Sequence, residues 1–333
     1  MSIAPTQPPQ AAPPATEEYR ALRERCGLLD RSERGKLALT GAGAVEFLNG
    51  QVTNELADLR PGDGRYAAFL THKGKMLGDL RILARGGDPP GPPAELLLDT
   101  ERLALQALFD MIRRFKVGYE AELHKRTLEL GLLSLIGPAA SSVASAQALA
   151  PAEHANAAVA LDGVSALAVR TAEGIDLICD AADTERLAAV LLERGAARVS
   201  ADAAECLRVE SGRPRYGIDM DESTIPQEAG LNERAVSFGK GCYVGQETVA
   251  RLFYRGRPNR HLRGLRLSAA AGTGAELTLA GRAVGRLGSV AVSPSLGPIA
   301  LALVRREAGP GSVVVVGAEG ITAEVSELPF APA

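Results

Sequence analysis

The chain has 333 residues, 46% hydrophobic content, a net charge of −3 and four cysteines. That length exceeds one small core and predicts two or three domains. The slight acidic balance argues against a general grip on nucleic acid, which needs a basic excess. The cysteines at 26, 179, 206 and 242 include no CxxC pair, so they read neither as a disulfide framework nor as a zinc site, and they suit a reducing cytosol. No apolar run approaches the ~20 residues that span a bilayer.

Met1 to Thr16 is rich in Pro, Ala and Gln and reads as a disordered tail. Glu17 to Arg25 reads as a short helix, Lys36 to Thr40 as a strand, and the stripe Val45, Phe47, Leu48, Val52 as a helix. The Gly41-Ala42-Gly43 turn between them lacks the third glycine and the distant acid of a dinucleotide fingerprint. Tyr66 to Leu70 and Leu77 to Leu83 read as two strands, followed by a strand from Glu95 and a helix to Phe115. Leu128 to Leu135 is expected to be a strand. The Ala-rich stretch Pro138 to Ala158 is expected to hold short helices. A strand pair at 166–170 and 175–179 and a helix from Thr184 to Glu193 follow. Such irregular alternation predicts α+β rather than a doubly wound sheet. From about Arg263, six short apolar runs separated by Gly/Pro/Ser turns predict a small β-barrel. The expected domains are the tail 1–16, an α+β body 17–256 and the barrel 257–333.

One segment carries a chemical signal. Lys240-Gly241-Cys242-Tyr243-Val244-Gly245-Gln246-Glu247 sets a cation two residues before a thiol and just ahead of a helix start. A nearby cation or a helix N-terminus stabilises a thiolate. Cys242 is therefore expected to be the working thiol and Lys240 its activator. Against this stands the plain reading of a buried cysteine in a glycine-rich turn. His124, His154 and His261 lack metal-ligand spacing, and no metal site is expected.

The run Ser237 to Arg251 resembles the signature of the YgfZ family, folate-binding proteins related to the glycine-cleavage T-protein. That family is linked to iron–sulfur cluster assembly or repair and to tRNA modification. The resemblance extends to Gly41–Asn54, to Leu207-Arg208-Val209-Glu210-Ser211-Gly212-Arg213-Pro214 and to Ile225–Asn232. It implies a folate-binding α+β body closed by the C-terminal barrel. It also implies tetrahydrofolate or a one-carbon-substituted folate as cofactor, iron–sulfur assembly factors or client enzymes as partners, and a bacterial cytoplasmic setting without direct nucleic-acid or membrane contact. A pterin edge presents N–H donors that suit a carboxylate, and a folate tail suits cations. By the resemblance the pterin acid is Asp176, with Glu173 as fallback, and the binding set includes Arg208, Arg213, Glu228, Tyr243, Gln246 and Glu247. For Arg208 and Arg213 an ordinary ion pair with Glu210 or Asp219 is an equal reading. T-proteins carry paired aspartates where this chain reads Gly78-Asp79, so Asp79 alone remains for catalysis. The expected function is an accessory protein for iron–sulfur enzymes with Cys242 as its thiol. The alternative is a folate-dependent aminomethyltransferase, against which the missing acid at Gly78 argues.

Overall fold

The computed structural model describes residues 16–87, 91–318 and 320–330. Apart from Thr16, the expected tail lies outside them. The chain forms two compact units. One comprises Glu18–Ser200 with Leu231–Ala250, the other Ala201–Gly230 and the described part of Arg251–Ala333. Residues 201–230 thus cluster with the barrel, although in sequence they lie inside the stretch 17–256 expected to form the body.

In the first unit, helix α1 (Glu17–Glu24) leads into β1 (Gly27–Asp30), β2 (Gly35–Thr40), α2 (Ala44–Asn49), β3 (Gly64–Leu70), β4 (Met76–Arg85), β5 (Glu95–Thr100), α3 (Leu105–Phe115) and β6 (Glu122–Lys125). Then come β7 (Leu130–Ile136), α4 (Ala140–Val143), β8 (Asn156–Leu161), β9 (Val164–Arg170), β10 (Gly174–Asp180), α5 (Thr184–Glu193) and β11 (Ala197–Arg198). The order β-α-β-β-β-α-β therefore occurs twice, from β2 and from β7. The two sheets repeat it in space: β3-β4-β5-β2-β6 in one and β8-β9-β10-β7-β1-β11 in the other, with β1 intercalated. In both halves a single 3-10 turn precedes the second helix, at Arg102–Ala104 and at Ala181–Asp183.

Strand pleating explains the layers. Successive side chains point to opposite faces. On one face of the second sheet Leu133, Leu135, Ile175, Leu177 and Cys179 pack with Leu187, Ala188 and Leu191 of α5. The other face sends Leu132, Leu167, Val169 and Ile178 against Ala38, Leu83 and Leu97 of the first sheet. Two positions along the same strands the facing residues become polar. Leu132 gives way to Ser134, Ile178 to Asp176, Leu83 to Arg81, Leu97 to Asp99 and Ala38 to Lys36. Hence the seam between the sheets is apolar at one end and ionic at the other.

Several elements, β1, β6 and β11 among them, were not expected from the sequence, and two departures have a clear cause. The Ala-rich stretch holds α4 but ends in a strand, β8, which pairs with β9 along its whole length. Asp162 and Gly163 at the hairpin tip have φ of 48° and 79°, the two-residue turn that suits an antiparallel twist. The second departure is a helix absent from the expectations, α6 (Ala201–Glu210), which precedes α7 (Asn232–Ala235) and α8 (Gln246–Arg255).

In the second unit, β12 (Arg260–Leu267), β13 (Glu276–Leu279), β14 (Arg282–Ser293), β15 (Gly297–Arg305), β16 (Val313–Val316) and β17 (Ile321–Ser326) close a barrel in the order β12-β15-β14-β13-β16-β17. Each of the six apolar runs read from the sequence lies in one of these strands. The lumen is filled by Leu265, Leu277, Leu287, Val314, Val325 and their neighbours. Outside it, Val209 of α6 packs with Leu262, Ile299, Leu301 and Phe330. Among the described residues no helix is long and apolar enough to cross a membrane.

The seam between the sheets sets the position of everything polar behind it. Leu97→Ala, at a fully buried position in that seam, is expected to cost about 2–5 kcal/mol, measured by urea denaturation.

Candidate functional site

The ionic end of the seam is a row of cross-strand partners. Tyr66 pairs with Arg81, Arg81 with Asp99, and Asp99 with Lys36. Residues paired in this way share a face, so the row points at the opposite sheet. Across the seam Arg81 meets Asp176, with Nη1 2.5 Å from Oδ2, while its Nε lies 2.6 Å from Asp99. Asp99 also takes Nε of Arg34 at 2.8 Å, and Arg34 reaches Glu101. Burial alone would raise the Asp99 pKa, but Arg34 and Arg81 hold it well below the usual carboxylate range. For Arg81, burial works against the charge and the two aspartates more than offset it. Lys36 lies in the same row, fully buried, and donates to the carbonyls of Ser32 and Arg34 at 2.9 and 3.1 Å.

Asp79 sits two residues from Arg81 on the same strand and face. Tyr66 donates its hydroxyl to Asp79 Oδ2 at 2.5 Å. Burial raises the Asp79 carboxyl to about 6, although the Tyr66 bond and Arg34 favour its charge. The guanidinium of Arg234, on α7, lies 5.0 Å over the Tyr66 ring and pairs with Glu153 at 3.0 Å. Of the residues chosen from sequence, Asp176 and Asp79 both touch members of this row, Asp176 through Arg81 and Asp79 through Tyr66. Sequence reasoning missed Arg81, Asp99, Arg34 and Tyr66. The alternation Asp79-Leu80-Arg81, set against Asp99 on the next strand, was the only available signal. Glu173 stays in the turn before β10, where its carbonyl accepts the Gly137 N–H at 2.8 Å.

Packing closes position 78 to a side chain. A Cβ at Gly78 would lie 2.6 Å from the Phe69 ring and 2.6 Å from Ala104. A side chain there cannot enter without moving that ring.

Lys240 does not serve the thiol. Its ammonium donates to the carbonyls of Asn49, Val52 and Asn54 at 2.7, 2.9 and 2.7 Å, which engages all three of its donors. Asn49 ends α2, so Lys240 places a cation where that helix exposes its carbonyls. The expectation that Lys240 activates Cys242 is corrected: direction, which sequence adjacency does not reveal, carries the side chain into the fold. Burial lowers the Lys240 pKa to about 8, while Glu55 favours the charged form. Other residues of the segment also pack against the fold. Tyr243 is buried, its hydroxyl pushed up to about 12 by burial, and its ring lies 5.3 Å from the Lys240 ammonium. The Val244 N–H bonds Gly50 O at 3.3 Å. Gly245, at φ 84°, lies so close to the β3–β4 turn that a Cβ would be 2.5 Å from Thr71 O. Gln246 reaches Gly241 O at 3.4 Å, and Glu247 is exposed in the first turn of α8. The two sequence motifs, 41–54 and 237–251, are therefore packing partners.

Cys242 is exposed, whereas Cys26, Cys179 and Cys206 are buried. Burial raises the Cys26 thiol to about 11 and also lifts Cys179.

In the second unit Arg208 is fully engaged. Its Nε and Nη2 bond Glu205 at 2.9 and 2.5 Å, Nη1 reaches Asp219 at 3.1 Å, and further N–H groups bond Arg213 O and Ser289 Oγ. All five donors have protein acceptors, so the ion-pair reading with Asp219 is the one the geometry fits. Arg213, half-buried in the following turn, contributes that carbonyl. Glu228 is buried and clamps Arg260 through both oxygens at 3.1 and 2.9 Å, also accepting the Ile225 N–H at 3.0 Å.

Two predictions follow from these contacts. Lys240→Met keeps the stem but strands three carbonyls, so a loss of about 2–3 kcal/mol is expected by chemical denaturation, with the alkylation rate of Cys242 little changed. For Asp79, a pKa raised from 3.8 to about 6 means that the folded chain holds the proton more tightly between those values. Its contribution to stability is full below pH 4 and is lost as pH rises through 6. Asp79→Asn is therefore expected to exceed wild type in stability at pH 8 by about 3 kcal/mol, a gain that melting curves should show vanishing at pH 4.

Comparison with known proteins gives a consistent picture. Residues 5–240 match the GCVT N-terminal domain, and residues 260–331 match the glycine cleavage T-protein C-terminal barrel domain. An aminomethyltransferase of Streptomyces avermitilis is 30% identical over 94% of this chain and 88% of its own length. One from Geobacillus kaustophilus is 31% identical over 73% of this chain and 69% of its own. The crystal structure of glycine cleavage system aminomethyltransferase T from Bartonella henselae superposes with a TM-score of 0.82, at 26% identity, covering 95% of this chain and 89% of that one.

Proposed function

We propose, for a chain that belongs to the glycine-cleavage T-protein family, that the ionic end of the seam binds a tetrahydrofolate and handles the one-carbon unit it carries. The observation that carries this reading is that Asp176 pairs with Arg81 while Asp79, two residues from Arg81 on the same strand, accepts the Tyr66 hydroxyl of the same row. Asp176 is buried, and its Oδ2 pairs with the Arg81 guanidinium at 2.5 Å. A carboxylate so placed suits the N–H donors of a pterin edge. Asp79, raised to about 6, exchanges a proton near neutral pH, as a general base or acid must. When a folate amine displaces a leaving group from the one-carbon unit, the C–N bond forms as the carbon–leaving-group bond breaks with its electron pair, and the proton the amine then sheds is one Asp79 is suited to take. The aminomethyltransferases among the relatives favour transfer chemistry of this kind. Folate as the ligand, and Asp79 and Asp176 in these roles, are our reading.

Exposure supports a second reading. Cys242 is the exposed cysteine of the four, and it sits beside a residue fixed at three points. In this reading the chain is a YgfZ-like folate-binding accessory protein that supports assembly or repair of iron–sulfur enzymes. One thiol is short of the four ligands a cluster takes, so the thiol would act together with a client or assembly partner. A link to tRNA modification would then be indirect, through an iron–sulfur client.

Calorimetric titration with tetrahydrofolate and 5-formyltetrahydrofolate tests the shared part. Saturable binding is expected, weakened at least ~10-fold in Asp176→Ala because pterin donors lose their acceptor. Turnover of an aminomethyl donor separates the two readings. Turnover that disappears in Asp79→Asn while folate still binds supports transfer. Folate binding without turnover, together with loss of iron–sulfur enzyme activity in cells carrying Cys242→Ser, supports the accessory role. An absence of folate binding overturns both.

A further inference from the structure

His154 differs from every other member of the ionic cluster. It lies just before β8 with φ of 70°, a left-handed conformation that a residue other than glycine adopts at a cost. The backbone of β3 is pressed against it: a Cβ at Gly64 would lie 2.4 Å from His154 O and 2.6 Å from His154 Cβ. Its main-chain N–H is fixed to Arg170 O at 2.8 Å. The result is a side chain only 8% exposed, with neither Nδ1 nor Nε2 in a hydrogen bond. The nearest carboxylate, Glu153, is 3.9 Å from Nε2, beyond hydrogen-bond reach. Buried polar side chains are nearly always hydrogen-bonded, and exceptions call for an explanation.

The surroundings supply one. The imidazole centroid is 6.3 Å from that of Tyr66 on β3. The charged groups that act on it are Arg81 of β4, Asp176 of β10, Arg234 of α7 and Glu153 of its own turn. Burial, the largest influence, lowers its pKa to about 4, so the ring is neutral at physiological pH. On the other side of Asp176 in the sheet, Ser134 is its cross-strand partner, and its hydroxyl is likewise buried without a hydrogen bond. Arg234 Nε is a further buried donor with no acceptor. An additional anion here would meet Asp99, Asp176 and Glu153, and an additional cation would meet Arg34, Arg81 and Arg234. An uncharged edge carrying donors and acceptors meets neither barrier. A neutral imidazole offers one donor and one acceptor, and a hydroxyl offers both.

We propose that His154 and Ser134 are ligand-contacting residues that hydrogen-bond the uncharged edge of a planar heterocycle beside Asp176 and Tyr66. The proposal rests on the folate reading, in which that heterocycle is the pterin, and it adds the residues that select it.

The test is calorimetric titration of the full chain with 5-formyltetrahydrofolate, paired with the melting temperature of the ligand-free protein. His154→Phe removes both nitrogens. His154→Asn retains a donor and an acceptor and is at ease in the left-handed region. Ser134→Ala removes only the hydroxyl. His154→Phe is expected to weaken binding roughly 10–100-fold. His154→Asn should lose less, and Ser134→Ala about 10-fold, with ligand-free melting temperatures close to wild type for His154→Asn and Ser134→Ala. Wild-type affinity in all three variants overturns the role of His154 and Ser134 and leaves the folate reading standing. Affinity losses that merely follow losses in melting temperature also overturn it, by assigning both residues to the fold alone. If wild type binds no folate, the folate reading fails and this inference fails with it.

Discussion

The first unit depends on one guanidinium. Arg81 projects from one sheet and holds a carboxylate of its own sheet, Asp99, and one of the facing sheet, Asp176. A charge buried in this way is tolerable only if it is paired and hydrogen-bonded. Arg81 therefore fixes the register of the two layers at the end where the leucines run out. Replacing it would strand two aspartates at once. Beside it, burial raises the Asp79 carboxyl to about 6 against the opposing pull of the Tyr66 hydrogen bond and Arg34.

A second constraint ties the long C-terminal signature to the N-terminal half. Lys240 gathers three carbonyls around the end of α2, and Gly245 lets the same segment approach the β3–β4 turn at backbone distance. The segment that follows α7 is thereby returned to the strands that carry Tyr66, Asp79 and Arg81. Density of pattern in a sequence marks constraint, and here the constraint on the lysine is architectural. Any chemistry in the octapeptide rests with Cys242, which stands exposed beside a fixed point.

Much of the fold was legible because it follows from side-chain alternation. The six barrel strands announced themselves as short apolar runs between turn residues, and β4, β9 and β10 read correctly for the same reason. β8 did not, because Asn156-Ala157-Ala158-Val159-Ala160-Leu161 has little β-branched content, and its hairpin signal, Asp162-Gly163, lay just past the stretch judged helical. α6 was hidden because its buried face rests on few large residues, chiefly Leu207 and Val209. Within the site, Asp79 and Asp176 were found through resemblance, while Arg81 and Asp99 had no motif to mark them. His154 was set aside for lack of ligand spacing. Its distinguishing property is that its nitrogens have no partners, a fact about three dimensions that no spacing encodes.

The packing at position 78 bears on how the site tolerates change. A side chain there would meet both the Phe69 ring and the Ala104 Cβ at 2.6 Å. Relief at Phe69 alone would leave the second contact in place, so an acid could enter only if both neighbours gave way. Position 78 is closed from two sides, and variation of the carboxylate set on this strand is thereby confined to its neighbour, Asp79.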